Sequence, residues 1–94
     1  MEMLPLWIEF FEDLQQVRGR SQNTVMAYRR DLELFADYRL KEKSIAGFYE
    51  YMKLHKLSVR SQARVVSSLR TYFKFCESLG HKSPELRELK PPRV

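Results

Sequence analysis

The sequence predicts an all-α fold, a bundle of four helices with a short fifth. Three observations predict it. Apolar residues recur every three or four positions in four separate segments, the period of a helix with one buried face. No segment alternates polar and apolar residues as a half-buried strand would. Only three glycines and four prolines interrupt 94 residues, and most sit where a helix should start or stop.

The first helix spans Leu4 to Arg18, with Leu6, Phe10, Leu14 and Val17 on one stripe and Trp7 and Phe11 beside it. Pro5 suits a first helical turn and Gly19 supplies the stop. This apolar band is wider than one face needs: either a small core absorbs it, or part of it awaits a partner protomer or a further domain. Ser21 is an N-cap for a second helix, Gln22 to Tyr38, whose inner face carries Val25, Tyr28, Leu32 and Phe35. Asn23, Thr24, Ala27 and Arg30 lie on its other side.

A third helix runs from Ser44 to Leu54 with Ile45, Phe48, Tyr49 and Met52 inward, weakened slightly by Gly47. Ser58 caps a fourth, Val59 to Leu79, ended by Gly80. Val66, Leu69, Phe73 and Cys76 form its stripe; Arg60, Arg64, Ser67, Ser68 and Thr71 form the opposite face. Ser83 then caps a short turn through Leu89, with Pro84 at its first position. Pro91 and Pro92 cannot continue it. Residues 1–90 therefore read as one domain and 91–94 as the start of an interdomain linker.

Charge is what gives the bundle a function. The net charge of +5 is not spread evenly. From Tyr51 to Cys76 there is no acid, while Lys53, Lys56, Arg60, Arg64, Arg70 and Lys74 are all basic. Before Arg18 the pattern reverses, with Glu2, Glu9, Glu12 and Asp13 and no base. A basic helix face dotted with hydroxyls is suited to phosphates, which makes duplex DNA the leading partner. The two openings, Ser21-Gln22-Asn23-Thr24 and Ser58-Val59-Arg60-Ser61, share one design. A serine caps a helix whose first amides carry partial positive charge, and small polar residues line the exposed side. Arg18, Arg20, Arg29 and Arg30 cluster beside the first opening; Arg29 has Asp31 and Glu33 close by for local pairing.

Other chemistries find little support. Two separated histidines, His55 and His81, and the single Cys76 make neither a metal set nor a disulfide. No Gly-rich phosphate loop or nucleophile–base pair is present, so no cofactor is expected. Tyr72, Phe73 and Phe75 at helical spacing read as core before they read as a base-stacking platform. The lone cysteine, the acidic N-terminus and the lack of a long apolar run fit a cytoplasmic protein with no membrane partner.

The segments Ser21-Gln-Asn-Thr-Val-Met-Ala-Tyr-Arg-Arg-Asp-Leu32 and Leu57-Ser-Val-Arg-Ser-Gln-Ala-Arg-Val-Val-Ser-Ser-Leu-Arg-Thr-Tyr-Phe-Lys-Phe75 resemble two helices of a known domain. It is the N-terminal core-binding domain of tyrosine recombinases of the phage-integrase and Xer type. The Phe10-Phe11 helix before Arg18-Gly19-Arg20, and Ser83-Pro84 after Gly80, fit it as well. The resemblance implies a compact orthogonal, SAM-like bundle forming half of a clamp around duplex DNA. By position it implies DNA contacts at Ser21, Asn23, Thr24, Ala27 and Arg30 of the second helix and its cap; Arg20, in the basic cluster just before it, is a further candidate contact. On the fourth it implies Ser58, Arg60, Ser61, Arg64 and Ser68, with Lys74 on the DNA backbone.

The resemblance also implies that other recombinase protomers are partners through the first helix. It places the catalytic residues in a separate C-terminal domain, so none of Tyr28, Tyr38, Tyr49, Tyr51 and Tyr72 is read as a nucleophile and this chain alone is not an enzyme. The alternatives are a helical protein–protein module, or a stand-alone DNA-binding regulator that grips symmetric half-sites as a dimer.

Overall fold

The computed structural model describes residues 4–39 and 44–90. The expected linker at 91–94 lies outside the described residues. Five α-helices follow in order: α1 (Trp7–Glu12), α2 (Gln22–Arg39), α3 (Ile45–Leu54), α4 (Val59–Ser78) and α5 (Glu85–Glu88). No strand occurs among the described residues. The radius of gyration, 12.9 Å, is close to the roughly 13 Å of a packed domain of this length.

The N-terminal helix departs from expectation at both ends. It starts at Trp7, with Leu6 in the left-handed region at φ 57°, so Pro5 precedes the helix and does not sit in its first turn. At Asp13–Val17 the winding loosens into a π turn. The amide of Arg18 donates to the carbonyl of Asp13, five residues back, at 3.0 Å. A π turn advances less per residue than an α turn, so Val17 leaves the stripe begun by Phe10 and Leu14 and stands 78% exposed. Trp7, Phe10, Phe11 and Leu14 are buried, so the core absorbs most of the wide band.

Helices α2 and α4 pack on one another, and α1 lies against α4. One aromatic cluster centres on Phe10, whose ring meets those of Phe11, Tyr28, Tyr72 and Phe75. A second joins Phe35 to Phe48 and Phe73 in edge-on contacts at 5.0 and 5.9 Å, the arrangement that ring quadrupoles favour. The fourth helix's stripe of Val66, Leu69, Phe73 and Cys76 is buried as its spacing predicts, and Val65 and Tyr72 widen it. Tyr72 donates to the carbonyl of Pro5 and so ties the chain entry to α4. Burial pushes the Cys76 thiol above its ordinary value, which keeps it un-ionised at neutral pH.

Three details of the turns follow from their geometry. Ser44 caps α3 by accepting the Gly47 amide at 3.1 Å. A Cβ on Gly47 would collide with the Tyr38 hydroxyl, which reaches in to the Ser44 carbonyl at 2.5 Å. Glycine is there for close approach, whatever it costs the helix.

Between α3 and α4, Leu57 N–H donates to Met52 O and Lys56 N–H to Lys53 O, the paired bonds of a Schellman turn. Lys56 occupies its left-handed position, φ 61°, where glycine is usual. At the end of α4 the same two bonds recur from His81 and Gly80, here with glycine at φ 90°.

The C-terminal segment is firmly held. Arg70 donates to the carbonyls of Leu86 and Leu89 at 2.9 and 2.7 Å, and Tyr49 bonds the Lys90 backbone. Leu89 is fully buried. The short α5 has Pro84 at its cap position with no side-chain cap; Ser83, expected as that cap, is instead buried.

Candidate nucleic-acid interface

The two openings are built alike. Ser21 Oγ accepts the Thr24 amide at 3.2 Å and donates to Thr24 Oγ1 at 3.0 Å. Ser58 Oγ accepts the Ser61 amide at 3.1 Å and donates to Ser61 Oγ at 3.1 Å. Each cap satisfies one of the amides that a helix start leaves without an intrahelical partner. Each hydroxyl pair also retains one O–H for an outside acceptor, and the amides just behind the cap face outward beside it. Asn23 and Arg30 on α2 and Arg60 on α4 are exposed; Thr24, Ala27 and Ser61 are half-buried.

Along α4, Arg60, Arg64, Ser67, Thr71 and Lys74 recur at helical spacing on the outer side. Arg60, Arg64, Ser67 and Lys74 are exposed and Thr71 is half-buried, its hydroxyl bonded back to the Ser67 carbonyl at 3.0 Å. At about 1.5 Å per residue, Arg60 and Lys74 stand roughly 21 Å apart along the axis. Ser68, expected on this face, points inward. It is buried and its hydroxyl donates to Asp31 Oδ2 at 2.8 Å, so Ser67 is the serine the surface presents. The arc of α4 buried by Val65, Leu69 and Tyr72 simply includes position 68.

Asp31 is the residue that sequence reasoning misplaced. It does not pair with Arg29, whose guanidinium lies 5.3 Å over the Phe11 ring. Asp31 is buried at the α2–α4 contact, and its Oδ1 accepts from the Arg64 guanidinium at 2.9 Å. A signal was available, since position 31 is three after Tyr28 and four before Phe35, squarely on the inner stripe of α2. Arg64 stays 58% exposed while making this bond.

Among the other basic groups, Arg18 pairs with Asp13 at 3.0 Å. Arg39 reaches Glu85 at 3.4 Å and lies over the Phe35 ring. Arg20 is exposed, with its amide closing the π turn onto Leu14 O at 2.8 Å.

The aromatics expected as core behave so: Tyr72 and Phe73 are buried and Phe75 is half-buried against Phe10. Among the described residues no three His, Cys, Asp or Glu side chains gather as a metal set. No described helix is long and apolar enough to cross a membrane.

The bundle thus carries two matched, hydroxyl-bearing helix openings and a basic outer helix, and sequence comparison shows the family it belongs to. The family model described as phage integrase, N-terminal SAM-like domain, matches residues 8–80, and the chain belongs to that family.

Curated relatives include the tyrosine recombinase XerC of Oceanobacillus iheyensis, 36% identical over 86% of this chain and 30% of the relative. The tyrosine recombinase XerD of Listeria monocytogenes is 35% identical over 80% of this chain and 29% of the relative. That of Rickettsia bellii is 32% identical over 78% and 27%. The chain thus spans under a third of the length of these proteins. No solved structure gives a significant match.

Proposed function

We propose that this chain is the DNA-binding domain of a site-specific tyrosine recombinase, gripping duplex DNA through α2 and α4 at a recombination site. The observation that carries the reading is the acid-free outer face of α4, exposed on a chain whose relatives are tyrosine recombinases. The span from Arg60 to Lys74 exceeds the roughly 12 Å width of the major groove. A helix laid in that groove therefore brings both ends of the stripe to phosphates. The caps at Ser21 and Ser58 add amides and hydroxyls that fix register on the backbone.

In the parent protein the strand transfer, through a phosphotyrosine link, belongs to a C-terminal domain, so this domain binds and does not cut. Fluorescence anisotropy with a labelled duplex at several salt concentrations tests the reading. Affinity that falls steeply with salt is expected, because each neutralised phosphate releases counterions. Absence of binding at low salt and high protein concentration would contradict it.

One observation favours an additional contact between protomers through α1 and the π turn. Ile8 and Val17 are exposed apolar residues. Val17 also borders a shallow depression formed with Glu9, Glu12, Asp13, Gln16 and Phe75. Sedimentation of the chain with and without duplex reads this out: self-association lost in a Val17→Ser variant supports it, and a monomer throughout counts against it.

A further inference from the structure

The Asp31–Arg64–Ser68 cluster divides labour among the arginines of α4. Arg60 is exposed at the helix opening, a full positive charge suited to a phosphate. Arg64 differs. Its guanidinium is anchored at 2.9 Å to a carboxylate whose side chain is only 4% exposed, and Ser68 fixes the other carboxylate oxygen at 2.8 Å. The carboxylate beside it offsets part of the positive charge that would attract a phosphate. One bond, from Nη2, ties the guanidinium to this carboxylate and leaves its remaining N–H groups free to donate outward.

We infer that Arg64 reads a base edge, the paired N7 and O6 acceptors of a guanine in the major groove. Asp31 is the positioning residue that converts it from a charge into a reader. The inference rests on the proposed DNA-binding function. It separates two side chains that sequence spacing alone treats as equivalent, and it assigns a role to the buried acid between α2 and α4.

The experiment uses the 94-residue chain and a duplex that it selects from a randomised pool. That duplex is compared with copies in which single guanines are replaced by 7-deazaguanine, which lacks N7 and keeps every phosphate. The wild type should lose about 2- to 12-fold in affinity at one such guanine, half of what a bidentate contact is worth in free energy, because O6 remains. Arg64→Ala should bind both duplexes alike, with an unchanged slope of log affinity against log salt. Arg60→Ala should keep the discrimination and lose about 0.9 from the slope.

Asp31→Asn should lose most of the discrimination while binding random duplex at least as tightly, since a negative charge has gone. If Asp31→Asn does not fold, Ser68→Ala carries the same prediction at smaller amplitude. The inference is overturned if Arg64→Ala still discriminates, or if it lowers the salt slope as Arg60→Ala does. It is overturned as well if the pool yields no preferred sequence, or if the Asp31 and Ser68 variants discriminate like wild type. No duplex binding by the wild type would instead remove the DNA-binding function itself, and this inference with it.

Discussion

Helices α1 and α4 touch one another, yet they present opposite surfaces. The outer side of α1 and its π turn carries Glu9, Glu12 and Asp13 beside exposed Ile8 and Val17. The outer side of α4 carries Arg60, Arg64 and Lys74 with Ser67 and Thr71 between them. Both helices bury comparable aromatic faces, and Phe10 of α1 packs edge-on against Tyr72 of α4 at 5.4 Å. The contrast teaches that core and partner are specified independently. Inward residues decide how the helices meet, while charge, which contributes little to stability on an exposed face, decides what each outer surface attracts.

The largest effect comes from breaking the joint that both regions share. Phe10→Ala should destabilise the fold by about 3–5 kcal/mol, read as a lower midpoint in urea, because the ring is fully buried among four others. Next, Arg60→Glu with Lys74→Glu should reduce duplex affinity by roughly 100-fold at low salt. Thermal unfolding should barely move, since both side chains are exposed.

The caps sharpen the comparison further. Ser21→Ala, Ser44→Ala and Ser58→Ala should each cost about 1 kcal/mol of stability. Only the Ser21 and Ser58 variants should also weaken DNA binding, because Ser44 opens α3, away from the proposed interface. The smallest effect belongs to the acidic side. Glu12→Gln should raise duplex affinity by less than about threefold, and the gain should vanish as salt shortens the reach of charge below about 10 Å.

Much of this contrast was legible in the sequence. Helical periodicity identifies the buried stripes of α2, α3 and α4, and the serines at 21 and 58 mark helix starts that the hydrogen bonds bear out, whereas the cap expected at Ser83 is absent. The charge segregation was visible as well, because α4 is one continuous helix and its outer residues stay together.

What escaped depended on contacts between elements. Nothing in the sequence at Asp13–Val17 signals a π turn, so helical spacing alone predicts Val17 inward. Gly47 reads from sequence as a weak helix former, whereas the Tyr38 hydroxyl lies where a side chain there would be. Lys56 in a left-handed turn has no local signature, since glycine is the usual marker. Sequence proximity offers Asp31 to Arg29, whereas its partners Arg64 and Ser68 lie on another helix.

The most direct test of the central claim is an amide correlation NMR titration of the labelled chain with duplex DNA at low salt. The account predicts shifts concentrated at the openings of α2 and α4, around Ser21–Thr24 and Ser58–Ser61, and along Arg60 to Lys74. Signals from Glu9, Glu12 and Asp13 should stay in place. Shifts centred on α1, or none at saturating duplex, would contradict it.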